Sequence, residues 1–344
     1  MRDISKSPLR LRNTPQGSDG FRSDPGMFAF VKKRKGEYNM KIAVIGPGAM
    51  GMLFGGKLSA AADVVLVGNN PANIEAIRTE GVEIERDGLT TYHPDAALNG
   101  TVQEVKDLVI LFTKAYLTEE ALACNRAMIG PDTFLLTLQN GMGHEEILGK
   151  FTDPGHVLIG TTAQGSTRKS GRSIVHSGLG ETVIGPVQPG REESLEAIRN
   201  VFEQAGFPCS ISSNVRQSVW YKLMINASSS VLSGVLGMRQ GYVAENPWAW
   251  GICETLIREI CRTADSEGIH FDETEQIDRV YNHLMAARDG VASLCADLRK
   301  GRTTEVDYIS GAVVRAAEAG GIEVPEQKMM LELVHAMEGR TGNE

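Results

Sequence analysis

Lys222, Asn226 and Ser230 stand four residues apart in the stretch VWYKLMINASSSVL (219–232). A four-residue step on a helix is just over one turn, so the three side chains share roughly one face, drifting by about 40° per step. Trp220, Leu223 and Ile225 fall on other sides and can pack. A lysine partly desolvated in a cleft has a lowered pKa, and its ammonium can give up a proton near neutral pH. Asn226 and Ser230 can hydrogen-bond a ligand without adding charge. The alternative for all three is an amphipathic helix with a polar stripe facing solvent. Glu305, after Thr303-Thr304, also has two readings. It is either a favourable carboxylate in the first turn of a helix over 304–319, or a carboxylate facing Lys222 across a cleft.

A second constellation lies upstream. The apolar run 41–45 (KIAVI) leads directly into Gly46-Pro47-Gly48-Ala49-Met50-Gly51. A small-residue, helix-compatible segment follows, then a second apolar run over 63–67. This reads as a strand–helix–strand unit with GxGxxG at its first turn, the fingerprint of dinucleotide binding. Gly46 permits the tight turn, Gly48 lets the backbone approach a pyrophosphate, and Gly51 lets the helix pack close to the strand. The free amides at the helix N-terminus face the phosphates. At the end of the second run stand Asn69 and Asn70, which are uncharged and leave NAD and NADP both open. Strands over 107–113 and 133–138 end at Lys114 and Asn140, and ligands of a doubly wound sheet bind beyond such ends. A bound nicotinamide giving hydride and a lysine giving a proton together would reduce a ketone.

Composition fits this picture. The chain has 344 residues, 42% of them hydrophobic, and a formal net charge of −8. That excludes a wholly disordered chain and argues against a broad nucleic-acid surface. The uncharged stretch 223–238 is broken by Asn226, three consecutive serines and two glycines, so no membrane span is expected. Five cysteines without a CxxC pair point to free thiols in a reducing cytoplasm. The histidines lack metal-ligand spacing, and His176 reads as a structural residue beside a turn.

The expected organisation is α/β: an N-terminal Rossmann domain over 40–213, then an all-helical domain over 214–340 that carries substrate and catalytic residues. Further strands are expected at 156–159, 173–175, 181–184 and 208–212, with a helix over 192–205 between the last two. From 215 the pattern turns helical: 215–232, then a helix opened by Asn246-Pro247 and running to about 268, then 272–287, a segment around Ser293, 304–319 and 325–337. Trp248 and Trp250 are expected in the core. Residues 1–39 carry nine basic side chains against four acidic ones and show no long apolar periodicity. They read as a flexible basic tail or as a mis-set start ahead of Met40, and the acids disfavour a transit peptide.

These motifs resemble those of the ketopantoate reductase (2-dehydropantoate 2-reductase) family over nearly all of 40–337. The matching stretches are KIAVIGPGAMG (41–51), TKAY (113–116), QNGMG (139–143), IGTT (159–162), IVHSGLGETVIGP (174–186), VWYKLMINA (219–227) and SLCADLRKGRTTEVDYISG (293–311). The resemblance implies NADPH-dependent reduction of 2-dehydropantoate to (R)-pantoate in pantothenate biosynthesis, with NAD as cofactor not excluded. It implies Lys222 as proton donor and Glu305 as the acid orienting substrate and lysine. Lys114 and Asn140 match cofactor contacts, and Asn226 and Ser293 match substrate contacts. Ser230 stands where the family often has a second asparagine. Gln240 and Gly290 occupy two further asparagine positions, and Asn70 aligns with a phosphate-binding arginine. A sister reductase of another 2-keto acid is therefore the first alternative. A β-hydroxyacid dehydrogenase and a non-catalytic dinucleotide sensor are the others. The implied partner is a small-molecule 2-keto acid, with no nucleic acid, membrane or metal, and a homodimer is compatible with the sequence.

Overall fold

The computed structural model describes residues 39–339. The expectations for the basic tail, apart from Asn39, lie outside them. Among the described residues, twelve strands form two sheets. They are β1 (Lys41–Ile45), β2 (Asp63–Gly68), β3 (Val82–Glu85), β4 (Leu89–Tyr92), β5 (Asp95–Leu98), β6 (Leu108–Leu111), β7 (Phe134–Thr137), β8 (Val157–Thr162), β9 (Gly165–Arg168), β10 (Ser173–Gly178), β11 (Thr182–Pro186) and β12 (Cys209–Ile211). The larger sheet runs β12-β11-β8-β7-β6-β1-β2-β5. Its strands from β8 to β5 are parallel, and β11 reverses direction against β8. The strand order reverses beside β1, which makes the carboxyl ends of β1 and β6 the expected crevice.

The apolar runs are continuous because both faces of this sheet are covered. Along β1, Ile42 and Val44 join one core while Ala43 and Ile45 join the opposite one. The helix Ala49–Leu58 is buried nearly all round, at Gly51, Met52, Leu53, Phe54, Gly55, Gly56 and Leu58. One reason is the second sheet, β4-β3-β10-β9, which packs on its far side.

The sequence reading omitted β3, β4, β5, β9 and the helix Pro71–Glu80, and did not foresee that 173–175 would leave the main sheet. β3 and β4 are short, β3 alternating buried and half-buried residues and β4 largely exposed. Their usable signal was Asp87-Gly88 between alternating residues.

From 215 onward every regular element is helical: Val215–Ile225, Asn226–Ser230, Val231–Leu236, Gln240–Glu245, Pro247–Ser266, Glu273–Ala286, Ser293–Leu298, Val306–Tyr308, Ser310–Gly320 and Pro325–Met337. Asn246 caps its helix as expected, accepting from the Trp248 and Ala249 amides. Three expectations need correction. The helix over 215–232 is not uniform, because Asn226–Ser230 is a π-helical turn. The segment from Thr304 opens with a 3₁₀ turn, Val306–Tyr308, so Glu305 does not lie in the first turn of an α-helix. Trp248 is 84% exposed, because the buried face of its helix is set by Ala249, Cys253, Leu256, Ile257 and Ile260. Trp250 is half-buried and meets Tyr281 edge-on. The helix Val215–Ile225 lies directly on β8 and β11 and so joins the helical part to the sheet.

A Cβ at Gly51 would lie 2.0 Å from the Gly46 carbonyl oxygen, a backbone atom that cannot swing aside. Gly51→Ala is therefore expected to destabilise the fold by about 1–3 kcal/mol, the usual range for overpacking. Thermal denaturation checks this, and an unchanged midpoint would contradict the packing described.

Candidate active site

The turn after β1 has the form its glycines predict. Gly46 takes φ +98°, and Gly48, at the N-cap of the helix Ala49–Leu58, would carry a Cβ with nothing within 4 Å. Among the described residues no side chain caps that helix, and its first turn holds no acidic residue. The amides therefore open onto free space suited to an anion. Pro47, Gly48, Ala49 and Met50 are half-buried along this turn, whereas Gly51 is buried. Pro47 packs on Gly68, where a Cβ would come within 2.6 Å of its ring. Sequence reasoning did not single out Gly68. Asn70 is exposed and caps the helix Pro71–Glu80, its Oδ1 accepting from Asn73 N at 3.0 Å. Asn70 thus has a structural task besides any cofactor contact.

The ends of β6 and β7 are tied to each other and to the segment 305–308. Gln139 Nε2 donates to Thr113 O at 2.7 Å and to Thr118 Oγ1 at 2.9 Å, joining the two strand ends. Lys114 does not stand free in the crevice. Its Nζ pairs with Asp297 at 2.7 Å and lies 3.7 Å from Glu305 Oε2. Burial alone would lower the Lys114 pKa, but the Glu305 and Asp297 carboxylates reverse that, and it is raised. Glu305 Oε1 accepts from Ala115 N at 3.0 Å. One turn on, Met142 N donates to Tyr308 O at 2.9 Å, and Gly141 passes so close that a Cβ would lie 2.1 Å from that oxygen. The His144 ring stacks on Tyr308 at 5.0 Å, and its Nε2 meets the Asn140 carbonyl at 3.0 Å. Asn140, predicted at the crevice, therefore sits in a turn clamped against the TEVDY segment.

Lys222 reaches the same region from the helical side. Its Nζ donates to Thr162 O, at the end of β8, at 3.0 Å. Burial pulls the amine down to about 8, opposed by the Glu305 charge. No carboxylate lies within ion-pair distance of Lys222 among the described residues, so Glu305 acts on it through space. Asn226 and Ser230 follow on the π turn, Asn226 half-buried and Ser230 buried. Ser293 is exposed at the first position of the helix Ser293–Leu298, which packs beside that turn. His176 is buried, with Nε2 bonded to Gln164 Oε1 at 2.7 Å, a structural arrangement. The sequence reading missed Asp297, Tyr308 and Thr162. Asp297 and Tyr308 lie inside a stretch already quoted, but nothing local marks their partners, which are 183 and 166 residues away in the chain. No cluster of three or more potential metal ligands occurs among the described residues.

Comparison with known proteins identifies the family and the fold. A ketopantoate reductase PanE/ApbA family model matches residues 42–189, and the model of the family's C-terminal part matches 214–338. The chain belongs to the ketopantoate reductase family. The 2-dehydropantoate 2-reductase of Pyrococcus abyssi is 32% identical over 305 residues, covering 88% of this chain and 99% of that protein. That of Halobacterium salinarum is 29% identical, covering 86% and 98%. Among solved structures of this fold, D-mandelate dehydrogenase with NADH and anilino(oxo)acetate superposes with a TM-score of 0.82 at 28% identity, covering 87% and 98%. A PanE/ApbA family ketopantoate reductase from Ralstonia eutropha gives 0.77 at 26%, covering 87% and 98%.

Proposed function

We propose that this chain is an NADPH-dependent 2-dehydropantoate 2-reductase that forms (R)-pantoate. The observation that carries the reading is Lys222, a half-buried residue whose amine bonds to the end of β8, where desolvation pulls its pKa down to about 8 within the field of Glu305. Membership of the family and the names of its relatives supply the substrate class. We assign the dinucleotide domain to 40–213 and the catalytic domain to 214–340. The family models support this division, the second of them beginning at 214.

The uncapped helix terminus and the space beside Gly48 suit a dinucleotide pyrophosphate. When bound, the reduced nicotinamide supplies the hydride that goes to the keto carbon. Lys222 gives its proton to the carbonyl oxygen and is left as the neutral amine. The Thr162 carbonyl orients the amine before transfer. Glu305 favours the charged form of Lys222 and is itself fixed by the Ala115 amide. Asn226 and Ser230, on the lysine's helix, and Ser293 are assigned to the substrate's polar groups. Lys114 and Asn140 are assigned to the cofactor side.

The proton donor is the ammonium, whose population falls as pH rises through about 8, so reduction is expected to lose rate above that pH. Purified protein with NADPH and 2-dehydropantoate is expected to consume nicotinamide absorbance, and Lys222→Ala to lower turnover by at least about 10²-fold. No turnover of this substrate, alongside turnover of another 2-keto acid in a small panel, would favour the sister-reductase reading. Full activity of the alanine variant would remove Lys222 from the mechanism.

NADPH is favoured because the end of β2 offers two neutral asparagines and no carboxylate to repel a 2′-phosphate. Asp caps a helix as well as Asn does, so Asn70→Asp changes the charge and keeps the cap. The variant is expected to keep its melting temperature and to lose about tenfold or more in the NADPH/NADH ratio of kcat/KM, roughly 1.4 kcal/mol. An unchanged ratio would place the 2′-phosphate away from residue 70.

A further inference from the structure

The helix that carries Lys222 changes its winding at Asn226. Val231 N–H bonds to the Asn226 carbonyl, five residues back. In an α-helix the same N–H would reach Ala227, four residues back. The wide turn therefore takes the α-helical donor away from the Ala227 carbonyl. Ala227 is fully buried, and a buried carbonyl without a partner is costly.

The missing donor comes from a segment 100 residues further along the chain, where Gln327 Nε2 donates to Ala227 O at 2.9 Å. Gln327 is itself fully buried, and its Oε1 has no partner, so the bond to Ala227 is what its side-chain amide provides among the described residues. The backbone of Gln327 is held as well. Glu259, also fully buried, accepts from Gln327 N at 2.8 Å and from Glu326 N at 3.2 Å, at the start of the helix Pro325–Met337. The turn's own serines serve its other carbonyls. Ser228 Oγ donates to Met224 O at 2.5 Å and Ser229 Oγ to Ile225 O at 3.0 Å.

We propose that Gln327 is a positioning residue for the substrate-binding face: by supplying the donor that the wide turn lacks, it keeps Ser230 in phase with Lys222 and Asn226. From Lys222 to Asn226 the chain is α-helical and drifts by about 40° over four residues. Through the π turn each residue advances by less, which returns Ser230 toward the lysine's face. Without the Gln327 donor, Val231 N–H is drawn back to Ala227 O. The turn tightens, and Ser230 rotates relative to Lys222 and Asn226.

This inference rests on the reductase reading, because its readout is turnover of the keto acid. The test is a double-mutant cycle of Gln327→Met and Ser230→Ala, with kcat/KM for the keto acid and Kd for the dinucleotide measured in all four proteins. Gln327→Met is expected to lower kcat/KM about tenfold or more and to leave the dinucleotide Kd unchanged. In the Ser230→Ala background it is expected to add little, because the residue it positions is gone. Gln327→Asn, which keeps an amide but is one methylene too short, should show the same coupling if the methionine variant folds poorly. Val334→Ala, a cavity variant on the Gln327 helix, should lower the melting temperature without coupling to Ser230. Additive losses, or equal coupling by Val334→Ala, would overturn the proposal. Absence of turnover in the unmodified chain would instead sink the reductase reading.

Discussion

The amine of Lys222 makes one hydrogen bond among the described residues, to the neutral carbonyl of Thr162 at 3.0 Å. The rest of the site depends on that constraint. A buried ammonium paired with a carboxylate stays charged, whereas one given only a carbonyl in a desolvated position can release its proton near neutral pH. The structure contains both cases around a single carboxylate. Glu305 and Asp297 together raise the Lys114 pKa, at 3.7 and 2.7 Å. Glu305 also opposes the fall in Lys222 but does not touch it, and burial wins there. Two lysines that see the same acid are thus shifted in opposite directions, one fixed as a cation and the other poised as a proton donor.

The surrounding fold keeps this arrangement in place. The helix Val215–Ile225 presses on β8 and β11, setting the depth of the lysine. Glu305 cannot swing toward Lys222 without giving up the Ala115 amide, and Tyr308, three residues on, is fixed to the Met142 amide and the His144 ring. The loops after β6 and β7 are therefore braced by the helical part at the point where an α/β sheet binds its ligand. Trp220, fully buried, anchors the lysine's helix from behind, with its indole N–H on Glu267 at 3.0 Å.

Much of this was legible in the sequence, because it depends on local pattern. The strand–turn–helix at 41–58, the polar ends of β6 and β7 and the four-residue spacing from Lys222 need only neighbours in the chain to be read. The parts that stayed hidden depend on distant partners. Nothing near Lys114 predicts that Asp297 will neutralise it, and nothing near Glu305 predicts that its partner is a backbone amide of the other half. Trp248 was misplaced because its size suggested burial, while the phase of its helix turns it outward. The π turn was invisible for a similar reason. Its serines are compatible with an ordinary helix, and the donor that makes the wide turn affordable lies at Gln327.

The most direct measurement of the central claim is a site-resolved NMR titration of the Lys222 amine, with its resonance assigned by comparison with a Lys222→Arg variant. The structure predicts a midpoint near 8, with the charged form lost as pH rises through that value. It also predicts a lower midpoint in Glu305→Gln, because the carboxylate that favours the charged form is then gone. A midpoint at the ordinary lysine value of 10.5, unmoved by that substitution, would contradict the account.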